Sequence, residues 1–519
     1  MKRALATIIL IALAGLASAP APARAAPLTA EAAASVERIT TAPRYVNSSW
    51  GIAVQDAATG EQVYGQRAQE MFLTGSITKL FTGAAALERL GADQRLRTRV
   101  HRVGRVRAGV LDGDLALVAA GDFSFGLRDR RNGTLAYADG GADHNEANSL
   151  GLVKTVSGDP LRALRRLAAD VRGAGIRRVR DVVIDDRLFE SYLAPVDGPI
   201  TPIWVNENLI DLTVRPTARG RRARVVWRPR TAAYRVTNRV RTGRATALEL
   251  DEPQPGVIRI QGTIAAGGGP TVRSWPVSDP AAFARTAFIE TLRRAGVRVR
   301  ARATGDNPQR RLPRARTYAT STRLGQWTSP RLAEYVKVVL KISYNRGADL
   351  LVCLVGAQTP QRDCVAGLER VTRTVEGLGV PGDQFFNFDG AGSDDRNRQT
   401  PNALNRLNSV VGTQPWGPVY LASLPVLGEP GGGDIATFGT DSPARGKLQA
   451  KTGTRAGQAP GAPGLLLHGR GLSGYLTAAS GRRLLVTIEV NNPTFQGIGG
   501  IVAIIEDQVA IVESIYRGA

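Results

Sequence analysis

The chain is 519 residues and 55.2 kDa, long enough to bury one large core or two to three smaller ones and too long for a peptide or a disulfide framework. Hydrophobic residues at 43% and charged residues at 22% exclude a disordered chain, which needs far lower hydrophobicity. Basic residues outnumber acidic ones 68 to 45, giving a net charge of +23, yet only seven of them are lysines, so each lysine invites inspection for chemistry that arginine cannot perform.

In chain order, residues 1–25 read as a secretory signal: Lys2 and Arg3 precede the uncharged stretch Ala4 to Ala17, and Ala23-Arg24-Ala25 supplies small residues for cleavage after Ala25. The mature chain keeps a charge of +20. No later segment approaches a membrane-spanning length, so the expected place is outside the cytoplasm, in the periplasm or cell-wall space.

Trp50 to Asp56 and Glu61 to Tyr64 alternate as a hairpin around Ala58-Thr59-Gly60. A helix starts near Ser76, with Leu80, Ala84, Leu87 and Leu90 on one face and Gly91 as its stop. From about 100 to 320 the texture changes to short strand-like runs such as Asp114 to Ala120, Asp181 to Asp186 and Leu209 to Val214, split by Gly, Pro and Arg clusters. A helix-then-strand pattern occurs there twice, over 161–180 and 283–302, in a match too short to be called a repeat.

Arg310 to Arg316 reads as a polar, proline-containing linker, followed by helices over 330–342 and 348–356. Cys353 and Cys364 are the only cysteines; a local disulfide and two buried thiols are both open. Leu472 to Ala479 and Arg483 to Val490 form a second hairpin, and Ile501 to Tyr516 a last helix. A hairpin at each end predicts one domain in which the two ends share a central antiparallel sheet.

Three short motifs carry chemistry. Ser76-Ile77-Thr78-Lys79 sets a hydroxyl and an amine at i and i+3 on one helix face. A partly desolvated lysine can serve as base for such a serine, and arginine cannot. No other lysine of the mature chain has a serine three residues before it. Ser343-Tyr344-Asn345 sits between two helices, where it can project a hydroxyl and an amide into a cleft. Lys451-Thr452-Gly453-Thr454 lies on a strand, with an amine and hydroxyls for an anion and a glycine for close backbone approach. The motifs occur once each, 267 and 108 residues apart, and together they resemble the box set of β-lactamases and penicillin-binding proteins, whose second box has Asp in the middle.

With these boxes and the long gap between the first two, the chain resembles the class C low-molecular-mass penicillin-binding proteins, the D-alanyl-D-alanine carboxypeptidase/endopeptidase family. Gly113-Asp114-Leu115, Gly121-Asp122-Phe123, Val183 to Phe189, Asn206 to Pro216 and Asp389 to Pro401 extend the resemblance. It departs at Thr74-Gly75, where Pro-Ala is usual, at Tyr344, where Asp is common, and at Ala391, where Ser is usual.

The resemblance implies an α+β fold: a penicillin-binding transpeptidase-like (serine β-lactamase-like) domain with a central antiparallel sheet flanked by helices. It is interrupted by a large mixed α/β insertion, giving 26–100, 101–322 and 323–519. It also implies that Ser76 is the nucleophile with Lys79 as base. Ser343 would pass a proton to the leaving amine, and Asn345 would hold Lys79 and the acyl-side amide. Lys451, Thr452 and Thr454 would bind the terminal carboxylate, and the N–H groups of Ser76 and Thr454, beside Gly453, would form the oxyanion hole. Substrate would be peptidoglycan stem peptide and β-lactams covalent inhibitors, with no metal or organic cofactor. Alternatives are a serine β-lactamase or esterase of the same fold, or a non-catalytic wall-binding protein. The scattered arginines lack an aromatic platform, which argues against nucleic acid and for attraction to an anionic wall or membrane surface.

Overall fold

The computed structural model describes residues 25–141, 143–150, 154–194, 196–314, 318–457, 461, 464–495 and 498–519. The expected signal, apart from Ala25, therefore lies outside the described residues.

The two ends of the chain meet in one antiparallel sheet. Its order is Leu448–Gly457, Leu465–Thr477, Arg483–Asn491, Ser49–Asp56, Gln62–Gln66, and Ser49 to Asp56 pairs residue by residue with Asn491 back to Leu484. Both hairpins are where alternation put them. One face is covered by Ala30–Thr40 and Ile498–Gly518, which bury Val36, Ile511, Val512 and Ile515 against Ile52, Val54, Val486 and Ile488. The other face meets Pro401–Val411, whose Asn405 donates to the Ala53 carbonyl at 3.0 Å. Beyond it the helices Lys79–Leu90, Leu332–Lys341, Asn345–Gly356 and Cys364–Gly377 share a second core. Cys353 and Cys364 are bridged, which resolves that choice in favour of the disulfide.

The chain leaves this domain at Gly91, whose φ of 83° closes the helix Lys79–Leu90. It returns beside its exit, as Leu332 N–H and Ala333 N–H donate to the carbonyls of Gln94 and Ala92 at 2.8 and 2.9 Å. Between these necks, Arg95–Arg107 pairs with Val110–Val118 and with Arg323–Arg331 in a second sheet. The expected boundary at 100/101 thus falls inside a paired strand, while that at 322/323 coincides with the start of its partner Arg323–Arg331; period-2 alternation in an arginine-rich strand carries little apolar signal. The two helix-then-strand segments lie side by side: Arg178–Val179 and Arg298–Val299 pair in parallel, and Arg162–Gly173 packs on Pro280–Arg294. The expected linker is anchored where it is described, with Arg311 paired to Asp181 at 2.8 Å.

Candidate active site

Gly75–Thr78 is a 3₁₀ turn that runs directly into the helix Lys79–Leu90. Ser76 therefore sits one turn before the α-helix proper, with Lys79 following on the same side and its N–H among those a helix start leaves without an intrahelical partner. Gly75 has a φ of 57°, a left-handed conformation that glycine adopts without the Cβ penalty. Thr74 is locked by donating its hydroxyl to Gln399, whose amide donates to Thr78 at 3.2 Å.

Lys79 is fully buried. Its Nζ lies 2.6 Å from Ser76 Oγ, 2.7 Å from Asn345 Oδ1 and 2.6 Å from the Ala391 carbonyl. The last two are pure acceptors, so in the neutral amine they take both N–H bonds and leave the lone pair facing the serine hydroxyl. Burial, reinforced by the charge of Lys451, lowers the Lys79 amine to about 7 against the opposing pull of Asp197, Asp389 and Asp349. The Ser at position 391 that the family usually carries is not needed for this contact, because the backbone oxygen makes it.

Asn345 is the first residue of its helix, and its amide donates to Asp197 at 3.2 Å. Ser393 donates to the other oxygen of Asp197 at 3.0 Å. Ser343 is half-buried with a φ of 58°, and among the described residues its hydroxyl has no hydrogen-bond partner. Lys451 is buried and ion-paired to Asp434 at 2.9 Å, and the Thr452 hydroxyl donates to the same carboxylate oxygen at 2.8 Å. Both heads, expected to meet a substrate carboxylate, are turned to this internal one instead. Thr454 is exposed, and its hydroxyl accepts from the buried Arg470.

Leu448–Gly457 is an edge strand. Ala450 N–H donates to Pro425 at 3.0 Å on the open side, so at period 2 the N–H groups of Thr452 and Thr454 face that side too. A Cβ on Gly453 would lie 1.9 Å from the Thr74 carbonyl and 3.0 Å from Ser76 N, which is why only glycine lets this strand back onto the serine turn. Ser76, Lys79, Asn345, Gly453 and Thr454 therefore converge from three elements far apart in sequence.

The description of the matching family model is D-Ala-D-Ala carboxypeptidase 3 (S13), and it covers residues 32–502. The chain belongs to this family. It is 30% identical over 545 residues to the D-alanyl-D-alanine carboxypeptidase of Actinomadura sp. (strain R39), an alignment covering 99% of this chain and 90% of that one. The fold is similar to penicillin binding protein 4 from Haemophilus influenzae, with TM-score 0.70 and 16% identity over 93% of this chain and 99% of that one. It is also similar to a second structure of that protein, complexed with a β-lactam, at TM-score 0.66 and 17% identity over the same shares. This member of the family is a serine-type D-Ala-D-Ala carboxypeptidase, a hydrolase with the penicillin-binding fold.

Its insertion contributes what the motifs did not announce. Tyr344 is fully buried, edge-on to Phe123 at 5.1 Å and beneath the Arg128 guanidinium at 5.7 Å. Arg128, itself buried, clasps Asp143 at 2.7 and 2.9 Å and also pairs with Glu207. Glu207 faces His144 at 3.1 Å, and His144 meets Asp211 at 2.8 Å. Burial opposes the charge on His144, but Asp211 and Glu207 raise its pKa to about 10. Asn206, Glu207 and Asn208 all have left-handed φ, at 54, 55 and 53°, a strain of order 1–3 kcal/mol each. Through that turn the Glu207 carbonyl accepts from Arg346 at 2.6 Å, so the insertion grips residues 344 and 346 on either side of Asn345. The run Asn206-Glu207-Asn208 was visible in the sequence, but its strain was not.

Proposed function

We propose that the enzyme cleaves the D-Ala-D-Ala end of peptidoglycan stem peptides through an acyl-enzyme on Ser76, and that β-lactams acylate the same serine. The observation that carries this is the fully buried Lys79 amine, held 2.6 Å from Ser76 Oγ with its other two partners the acceptors Asn345 Oδ1 and the Ala391 carbonyl. Lys79 accepts the serine proton as Oγ attacks the carbonyl between the two D-alanines. The N–H groups of Ser76 and Thr454 face the oxygen on which charge develops, where one donor is worth about 10² to 10³ in rate. The unpartnered Ser343 hydroxyl passes a proton to the leaving amine, and Asn345 orients Lys79 and the acyl-side amide. The peptide adds along the open edge of Leu448–Gly457, and its terminal carboxylate meets Thr454 Oγ1, polarised by Arg470. Lys451, held by Asp434, supplies field from behind.

The inserted unit is 95–331, bounded by the two paired strands, and it braces the Ser343-Tyr344-Asn345 loop. Residues 1–25 export the enzyme, which works at the cell wall, and the +20 of the mature chain draws it to an anionic surface. The test is release of D-alanine from a D-Ala-D-Ala peptide and covalent labelling by a fluorescent penicillin, in wild type and Ser76→Ala. Wild type releases D-alanine and labels; Ser76→Ala does neither. Absence of label in the wild type sinks the mechanism, and rapid penicillin turnover without peptide cleavage would assign a β-lactamase instead.

A further inference from the structure

The seam between the insertion and the helical core carries a groove lined by arginines. On Arg95–Arg107, residues 95, 97 and 99 are arginines at two-residue intervals, while Leu96, Thr98 and Val100 between them are buried. Period 2 puts the three guanidiniums on one face about 7 Å apart. They line a cavity of about 290 Å³ together with Leu332, Leu354 and Gln358 of the helical core. Arg99 also borders a second cavity of about 410 Å³, which His101, Tyr318, Arg323 and Arg362 complete. The two cavities thus adjoin at Arg99, which lines both.

The positive charge in it is not neutralised. Among the described residues no carboxylate lines either cavity, and Arg95, Arg97, Arg99, Arg323 and Arg362 pair with none. Arg99 and Arg323 instead share the Gln326 amide oxygen, at 3.1 and 3.3 Å. Burial and the charges of Arg323 and Arg97 together lower the pKa of Arg99. The nearby Asp185 is already held by Arg187 at 2.8 Å and by Tyr318 at 2.6 Å. Elsewhere the fold pairs its arginines readily, as at Arg482 with Asp56 and Arg285 with Asp181.

Arg362 comes from the other side of the seam, in the loop closed by the Cys353–Cys364 disulfide. Its φ is 54° and its carbonyl accepts from Glu190 N–H at 2.8 Å. Crowding like charges costs free energy that an anionic occupant returns.

We propose that this groove binds a linear polyanion, a polymer whose phosphate or carboxylate oxyanions repeat along its length and lie against the arginine ladder. The proposal rests on the surface attraction above only for where the polymer is met. Binding is measured without any D-Ala-D-Ala substrate, so its failure and that of the peptidase assignment are separable. The probes are fluorescently labelled short-chain inorganic polyphosphate and labelled polyglutamate, titrated with the full mature chain at low salt and followed by anisotropy. The groove variant combines Arg97→Gln, Arg323→Gln and Arg362→Gln, all exposed in the fold. The control combines Arg219→Gln, Arg221→Gln and Arg224→Gln, also exposed and remote in sequence from the groove, so that net charge falls equally.

The expected result is saturable binding by wild type, weakened by about tenfold or more in the groove variant and by less than about twofold in the control. Binding of polyphosphate alone assigns a phosphate polymer, binding of polyglutamate alone a carboxylate one, and each supports the site. Equal losses in the two triple variants, or no saturable binding to either polymer, overturn it. Unchanged melting temperature and penicillin labelling verify that the variants are folded, and Arg97→Gln alone serves if the triple is not.

Discussion

Acylation of Ser76 by a fluorescent penicillin should rise with pH along a single-proton limb centred at about 7, the pKa to which burial and Lys451 bring the Lys79 amine. Relative to the ordinary 10.5 of a lysine, that shift is worth about 5 kcal/mol of differential interaction. At pH 7.5 it makes about three-quarters of the amine neutral, against about one part in 1,000 for an unshifted lysine, so the environment supplies nearly three orders of magnitude of available base. The perturbation that tests the cause is Asp197→Asn. Asp197 stabilises the ammonium form of Lys79, so removing its charge should move the limb to lower pH while leaving its slope at one proton. The assay is stopped-flow labelling between pH 5.5 and 9, in wild type, Asp197→Asn and Lys79→Arg, the last of which should not acylate. A midpoint above about 9, a flat profile, or a limb that moves to higher pH in Asp197→Asn would refute the reasoning.

The lowered Lys79 pKa also makes stability depend on pH. The unfolded state binds the extra proton between the folded pKa near 7 and the unfolded value, so stability conferred at this position rises over that window and is lowest below it. Wild type should accordingly gain in melting temperature relative to Lys79→Met as pH goes from 7 toward 10. Gly453→Ala forces a Cβ to within 1.9 Å of the Thr74 carbonyl, and penicillin labelling should slow by about 10² or more as the strand is pushed off the serine turn. Glu207→Gln leaves Arg128 and His144 short of a buried counter-charge, so calorimetry should register a loss of about 3–5 kcal/mol. A slower acylation rate should accompany it as the grip on Tyr344 and Arg346 loosens. Removing the disulfide by Cys353→Ser with Cys364→Ser opens a loop of separation 11 and should cost about 3 kcal/mol, read as a lower melting temperature under non-reducing conditions.

Much of the proposed catalytic set was legible in the sequence because the chemistry asked of it restricts residue choice. A serine needs a neutralisable amine at helical spacing, and among so many arginines the isolated Lys79 stands out. The hairpins at the two ends were legible for a different reason: short apolar runs with residues at two-residue intervals, Ile52 and Val54 in one and Leu484, Val486, Ile488 and Val490 in the other, flank clear turn residues, although the sheet proves to be buried on both faces. Alternation written in arginine, as in Arg95–Arg107, reads as surface charge until its partner strand Arg323–Arg331 is seen beside it, so the sequence alone did not show that strand running across residue 100.

What the sequence determined by itself was the helix that spaces Ser76 and Lys79, the pair proposed as nucleophile and base, and the sheet shared by the two ends, since each follows from local period or from the chemistry of one side chain. Tertiary structure alone decided that Lys451 and Thr452 turn to Asp434, that the Ala391 carbonyl is a partner of Lys79, and that Glu207 and Arg128 hold the Ser343-Tyr344-Asn345 loop. It also showed that the overall charge is locally organised, with arginines left unpaired along one seam. These depend on which groups the fold brings within hydrogen-bond reach across separations of tens to hundreds of residues. Direction and burial at such distances are set by packing, which no local pattern encodes.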